Sequence, residues 1–174
     1  MMSKKVYRAC LCGLAALGGM QGAAASDFKA GIELREQATA AEVGLPAYPG
    51  ARPQRDKEED KAALRLDLWG GAYGFRLVVA KFAVEAEPDK VASFYRAALA
   101  QFGPVLDCSA GAAPRAPAAS SAAPGQLSCG EDRPRSGGQL YKAGTRERQR
   151  VVSLQPAGAG QTHFQLVLVE TRKP

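Results

Sequence analysis

The stretch Glu87-Pro88-Asp89-Lys90-Val91-Ala92-Ser93-Phe94-Tyr95-Arg96-Ala97-Ala98-Leu99-Ala100-Gln101-Phe102-Gly103 decides how the rest of this chain folds. Val91, Phe94, Tyr95, Ala98, Leu99 and Phe102 recur at the spacing of one helical face. Pro88 suits a first turn because its missing N–H has no partner there anyway. Asp89 opposes the positive end of the dipole, and Gly103 is placed to end the helix in a left-handed conformation. Burying Val91, Phe94, Leu99 and Phe102 would contribute about 2 kcal/mol each before entropy is subtracted. This is core chemistry, and a helix with one buried stripe needs a sheet beneath it.

The sheet is legible on both sides of the helix. Residues 63–69 alternate, with Leu64, Leu66 and Leu68 on one face and Arg65 and Asp67 on the other, which predicts a half-buried strand. The glycine-rich run 70–74 turns the chain. The return strand 75–84 is apolar on both faces and so belongs in the middle of its sheet. After the helix come a short strand at 104–108, a brief one at 139–143, a firmer one at 148–155, a hairpin loop over 155–161 and a last strand at 162–171. Phe164, Leu166 and Leu168 on one face of the last strand, with Val167 and Val169 on the other, make it central too. The predicted fold is α+β, a single domain with a mostly antiparallel sheet of about five strands and one main helix, in the order β-β-α-β-β-β.

Ahead of the first strand the pattern is weaker. Residues 27–37 read as a poorly determined lead-in. Thr39 and Glu42 have the spacing of a capping box, but Gly44 and Pro46 leave room for only about a turn of helix. Gly44 to Ala51 is an ordered, extended loop, and 52–61 a solvated charged segment. Two strands that are apolar on both faces need a second cover besides the helix. The segment around Tyr48 is expected to supply it, with a second subunit as the alternative, so a monomer is expected and a homodimer is the other reading.

The chain has 174 residues, a formal charge of +6 and a pI near 9.3. Lys4, Lys5 and Arg8, then an apolar run from Ala9 to Met20, then Ala23-Ala24-Ala25, describe a secretory signal peptide over residues 1–25. Its removal leaves +3, too mild a charge to point to nucleic acid. Cys10 and Cys12 sit at the start of the apolar run, not after it, and lack the setting of a lipidation site, so the mature chain is expected to be periplasmic or extracellular and not lipidated. Cys108 and Cys129 then stand alone in an oxidising compartment and should form a disulfide. Closing a loop of ~20 residues contributes about 3 kcal/mol in the chain-entropy treatment. Most of that loop, 109–127, is an Ala/Pro/Ser-rich insertion too poor in large apolar side chains to order itself.

Few residues offer chemistry. His163 is the one histidine. It could serve as a base near the acids Glu85, Glu87 and Asp89, but a polar residue at a strand end is the simpler reading. There is no nucleophile elbow, and Ser93 has apolar helix neighbours. The glycine clusters at 70–74 and 158–160 precede no helix and fit hairpin turns better than phosphate loops. Glu58-Glu59-Asp60 lacks a calcium-loop pattern. No catalytic set, metal site or cofactor is predicted. Arg146, Arg148 and Arg150 would share one side of an extended strand, with Arg133, Arg135 and Lys142 nearby, and could dock an anionic surface by charge. A solvated edge strand protected by its charges is the competing and preferred reading.

Three motifs carry a resemblance: Gly44-Leu45-Pro46-Ala47-Tyr48-Pro49-Gly50-Ala51, Pro88 through Arg96 with the spacing Pro-x-Lys-Val-x-x-Phe-Tyr-Arg, and Val105-Leu106-Asp107-Cys108. In these the chain resembles an uncharacterised family of exported bacterial proteins. The resemblance implies export and one α+β domain, and transfers no site. Together the residues point to a non-catalytic exported binding or interaction domain that contacts an envelope protein or an anionic surface. The alternatives are a small periplasmic hydrolase or other enzyme with a site near His163, and polyanion or cell-surface binding through the arginine-rich strand.

Overall fold

Alternation along the chain builds one large antiparallel sheet. The computed structural model describes residues 29–55, 57–109 and 126–173, so the expected signal peptide and most of the 109–127 insertion lie outside the described residues. The strands are β1 (Ala30–Arg35), β2 (Arg52–Pro53), β3 (Ala63–Gly70), β4 (Tyr73–Val84), β5 (Leu106–Asp107), β6 (Gln139–Gly144), β7 (Arg148–Pro156) and β8 (Thr162–Arg172). Their spatial order is β1-β3-β4-β8-β7-β6-β5, with β2 also paired to β4. The mostly antiparallel α+β architecture stands, but the sheet has eight strands where about five were expected.

The extra strands have physical causes. The lead-in pairs as the edge strand β1 because Ile32 and Leu34 come into register with Leu68 and Leu66. The two-residue β2 takes up the edge of β4 at Phe82 and Ala83, just beyond the last pair made by β3, Ala63 with Ala80. The expected strand over 104–108 pairs only at Leu106 and Asp107. Both strands read as central are central: β4 runs between β3 and β8, and β8 between β4 and β7.

The main helix is α2 (Pro88–Leu99), preceded by the single turn α1 (Ala40–Val43). Pro88 and Asp89 occupy the first turn of α2 as the sequence predicts. Its last turn tightens into a 3₁₀ segment, Ala100–Phe102, and Gly103 follows at φ 121° and ψ −167°, outside the left-handed helical region. Val91, Tyr95 and Leu99 are fully buried against the sheet, while Phe94 and Phe102 are partly buried. Burial pushes the Tyr95 phenol well above its ordinary pKa, and its hydroxyl donates to the Pro46 carbonyl at 3.3 Å.

That last bond corrects one expectation. The Tyr48 segment does not cover the second face of the sheet; it lies on the same face as α2. The Tyr48 ring meets Phe94 edge-on at 5.0 Å and Phe164 at 6.3 Å, and Phe164 projects from the helix side of β8. The capping box at Thr39 and Glu42 forms, and buried Ala40, Val43 and Leu45 join the core that α2 already occupies. A single helix is too narrow for this sheet. α2 lies over β6 and β7, and α1 takes the space over β4 and β8.

Candidate functional site

Strand register sorts the other face into rows running across the sheet. Ile32, Leu68, Phe75 and Thr171 form the first, and Leu34, Leu66, Leu77, Val169 and Gln149 the second. Leu64, Val79, Val167 and Val151 form the third, which ends at Lys142 on β6. Two polar rows follow, Lys81-Gln165-Ser153 and Ala83-His163-Gln155. The aliphatic side chains of the first three rows are half-buried or exposed, none buried, and among the described residues no element packs over them. Ile32 is 76% exposed and Leu34 61%. From β1 to β8 these three rows carry no charged side chain.

One margin of this face is closed. Residues 126–138 fold back over β6 after the disulfide between Cys108 and Cys129, whose Cα atoms are 5.5 Å apart. Leu127 and Leu140 are buried there, and the Lys142 ammonium, 4% exposed, donates to Asp132 at 2.6 Å and to the Ser128 carbonyl at 3.2 Å. Pairing and hydrogen bonds let a lysine be buried. The disulfide therefore staples the flap that closes the β6 margin and leaves the aliphatic rows open.

His163 stands at the polar end of the open face, in a depression lined by Gln54, Lys81, Arg133, Arg135, Ser153, Gln155 and Gln165. Among the described residues no carboxylate lines it; Lys81 pairs outside it with Asp60 at 3.5 Å. Of the three acids named as partners, Glu85 is exposed just past the end of β4, and the other two belong to the helix and its cap. Glu87 is the N-cap of α2, and Asp89 accepts from Gln139 at 2.8 Å. α2 lies on the opposite side of the sheet from His163, so the sheet separates the imidazole from Asp89.

The three arginines do not form a ladder. Arg146 falls in the turn between β6 and β7, where Thr145 and Arg148 bond to one another. Arg148 and Arg150 do share a face, but it is the helix-covered one. Arg148 pairs with Glu170. Arg150 is 6% exposed, with its guanidinium 3.6 Å from the centre of the Phe102 ring and its Nε donating to the Val43 carbonyl at 2.9 Å. Burial lowers its pKa. Period-two spacing could not foresee this, because what buries Arg150 is a carbonyl 107 residues away in sequence.

Arg148 ends a row of alternating charge beyond the rim of the helices. Asp67 accepts from Arg65 and from Arg76, both at 2.6 Å, and Arg76 also donates to Glu170 at 3.2 Å. Burial alone would raise the Asp67 carboxyl, but the two guanidiniums outweigh it and hold it below the usual range. Every carboxylate in this row is engaged by arginine, which makes it structure and not an acid–base pair. A cleft of about 440 Å³ lies alongside it, between this row and Trp69. No family model, curated protein or solved structure matches the chain.

Proposed function

We propose that this chain is a non-catalytic exported domain that works by contact, and that the open face of its sheet is the contact surface. The observation that carries the reading is the set of three largely aliphatic rows that no described helix or strand packs over. The disulfide fits an oxidising compartment, and the motif resemblance to exported bacterial proteins points the same way. The hydrolase alternative has less support: a histidine acting as general base is oriented by a group that accepts from its other ring nitrogen, and the depression at His163, although it includes the Ser153 hydroxyl, has no carboxylate among its lining residues. The polyanion alternative loses Arg150, which is buried, and Arg148, which is paired.

Binding of a dye that reports open apolar surface, such as bis-ANS, tests the reading. Strong fluorescence of the monomeric protein that falls on Leu77→Lys supports it, and a monomer that stays dark overturns it. Sequencing of the mature N-terminus tests export, with a start near Ser26 expected.

A further inference from the structure

We infer that the occupant of the open face is a second copy of this chain, the two sheets packing face to face about a two-fold axis. The inference rests on the reading of that face as a contact surface. Five strands, β1, β3, β4, β8 and β7, contribute to it, and at ~4.8 Å per strand they span about 24 Å. Three rows at ~6.8 Å cover about 20 Å along the strands. Thirteen of the fifteen positions on that grid belong to the rows, so each copy offers about 420 Å² and two together about 850 Å², the size of a small interface that associates weakly.

The chemistry selects the partner. From β1 to β7 the three rows carry no charge, and the Lys142 that ends the third is buried under the flap, so there is nothing to complement an acidic or basic surface, whereas a second aliphatic surface of the same kind suits it. Two sheets of the same twist also pack aligned, at about 10 Å separation, as in a sandwich. The stretches of this chain outside the described residues are poor candidates. Residues 110–125 are Ala, Pro, Ser and Gly with one arginine and lack side chains large enough to fill the rows, and residues 1–25 leave on export.

Sedimentation equilibrium of the exported chain decides the matter. A dimer with a dissociation constant of micromolar order is expected. Leu77→Lys, in the middle row, should weaken it about thirtyfold or more. Leu34→Lys, on the exposed edge strand where folding is insensitive, should weaken it less but in the same direction, with an unchanged circular dichroism spectrum for both variants. A dimer indifferent to both substitutions uses another surface and overturns the inference. A monomer at about 100 μM that binds bis-ANS brightly overturns the second copy while leaving the face open to a different partner. A monomer that stays dark means the chain covers its own face, and both readings fall.

Discussion

The guanidinium of Arg150 lies 3.6 Å from the centre of the Phe102 ring, and the same side chain donates to the Val43 carbonyl at 2.9 Å. One residue of β7 thus fastens both the end of α2 and the α1 turn to the sheet. Arg150→Ala removes a desolvated cation–π contact and leaves a buried carbonyl without its donor, a cost of about 2–3 kcal/mol. Arg150→Met keeps an apolar body and removes a charge that is costly to bury, so it should stay within about 1 kcal/mol of the parent. Urea denaturation separates the two. Equal stability for the parent and the alanine variant would mean that the side chain lies in solvent.

Gly44 is coupled to the same guanidinium. Its φ is 80°, a left-handed conformation that L side chains reach at a cost of about 1–2 kcal/mol. A Cβ there would also stand 2.9 Å from the Arg150 Nη2. Gly44→Ala should therefore destabilise by about 2 kcal/mol in the parent and by only about 1 kcal/mol beside Arg150→Ala, where the second contact is gone. Full additivity in that double-mutant cycle would show that the glycine is required for its backbone alone.

These two residues also mark where the sequence stops being informative. β3, β4, β8 and α2 carry strong periodicity over long runs, so their existence and the central places of β4 and β8 could be read from the residue pattern. β1 could not, because two aliphatic residues among Glu33, Arg35 and Glu36 give too short a signal, and register with β3 supplies the rest. Alternation also tells which residues share a face without telling which face receives the helix. For that reason the need for a second cover was legible and the side chosen by Tyr48 was not. Arg148 and Arg150 are equivalent in period and opposite in environment, a difference made by Val43 and Phe102, which arrive from distant parts of the chain.

Acid should weaken the fold through the charged row. The Asp67 pKa is lower in the folded chain than the unfolded value near ~3.9. Its contribution is therefore fully present above that value and lost as pH falls through the lower folded one. Stability attributable to Asp67 should be flat from about pH 5 to 8 and decline below about pH 4. Asp67→Asn should cost about 1–3 kcal/mol at neutral pH and flatten the acid limb, as read from urea midpoints against pH. An unchanged acid limb would assign the decline to other carboxylates.

Reduction of the disulfide should act on the flap over β6. The bridge closes a loop with a sequence separation of 21 residues. Its loss should cost about 3 kcal/mol. Because the Lys142 ammonium is buried under that flap and paired with Asp132, Cys129→Ser should also raise amide exchange at residues 126–142 before it affects β4 or β8. Uniform acceleration across the sheet would show that the flap and the sheet open together.

Trp69 is the single tryptophan of the chain and reports on the opposite edge. It pairs with Gly31 of β1 across the ladder, and its indole lies so close over that glycine that an added Cβ would overlap the ring. Gly31→Ala must push the indole off β1 and toward water, so its emission should shift to the red. The ring is already 42% exposed on an edge, and the cost should therefore stay near 1 kcal/mol. Gly74→Ala is the control. Gly74 pairs with Trp69 from the other side, but a Cβ there meets Arg172 at an ordinary 3.5 Å and should leave the emission in place. A red shift from both substitutions would trace the change to a general loosening of the β3–β4 hairpin, and a shift from Gly31→Ala alone ties it to the seat that the glycine provides.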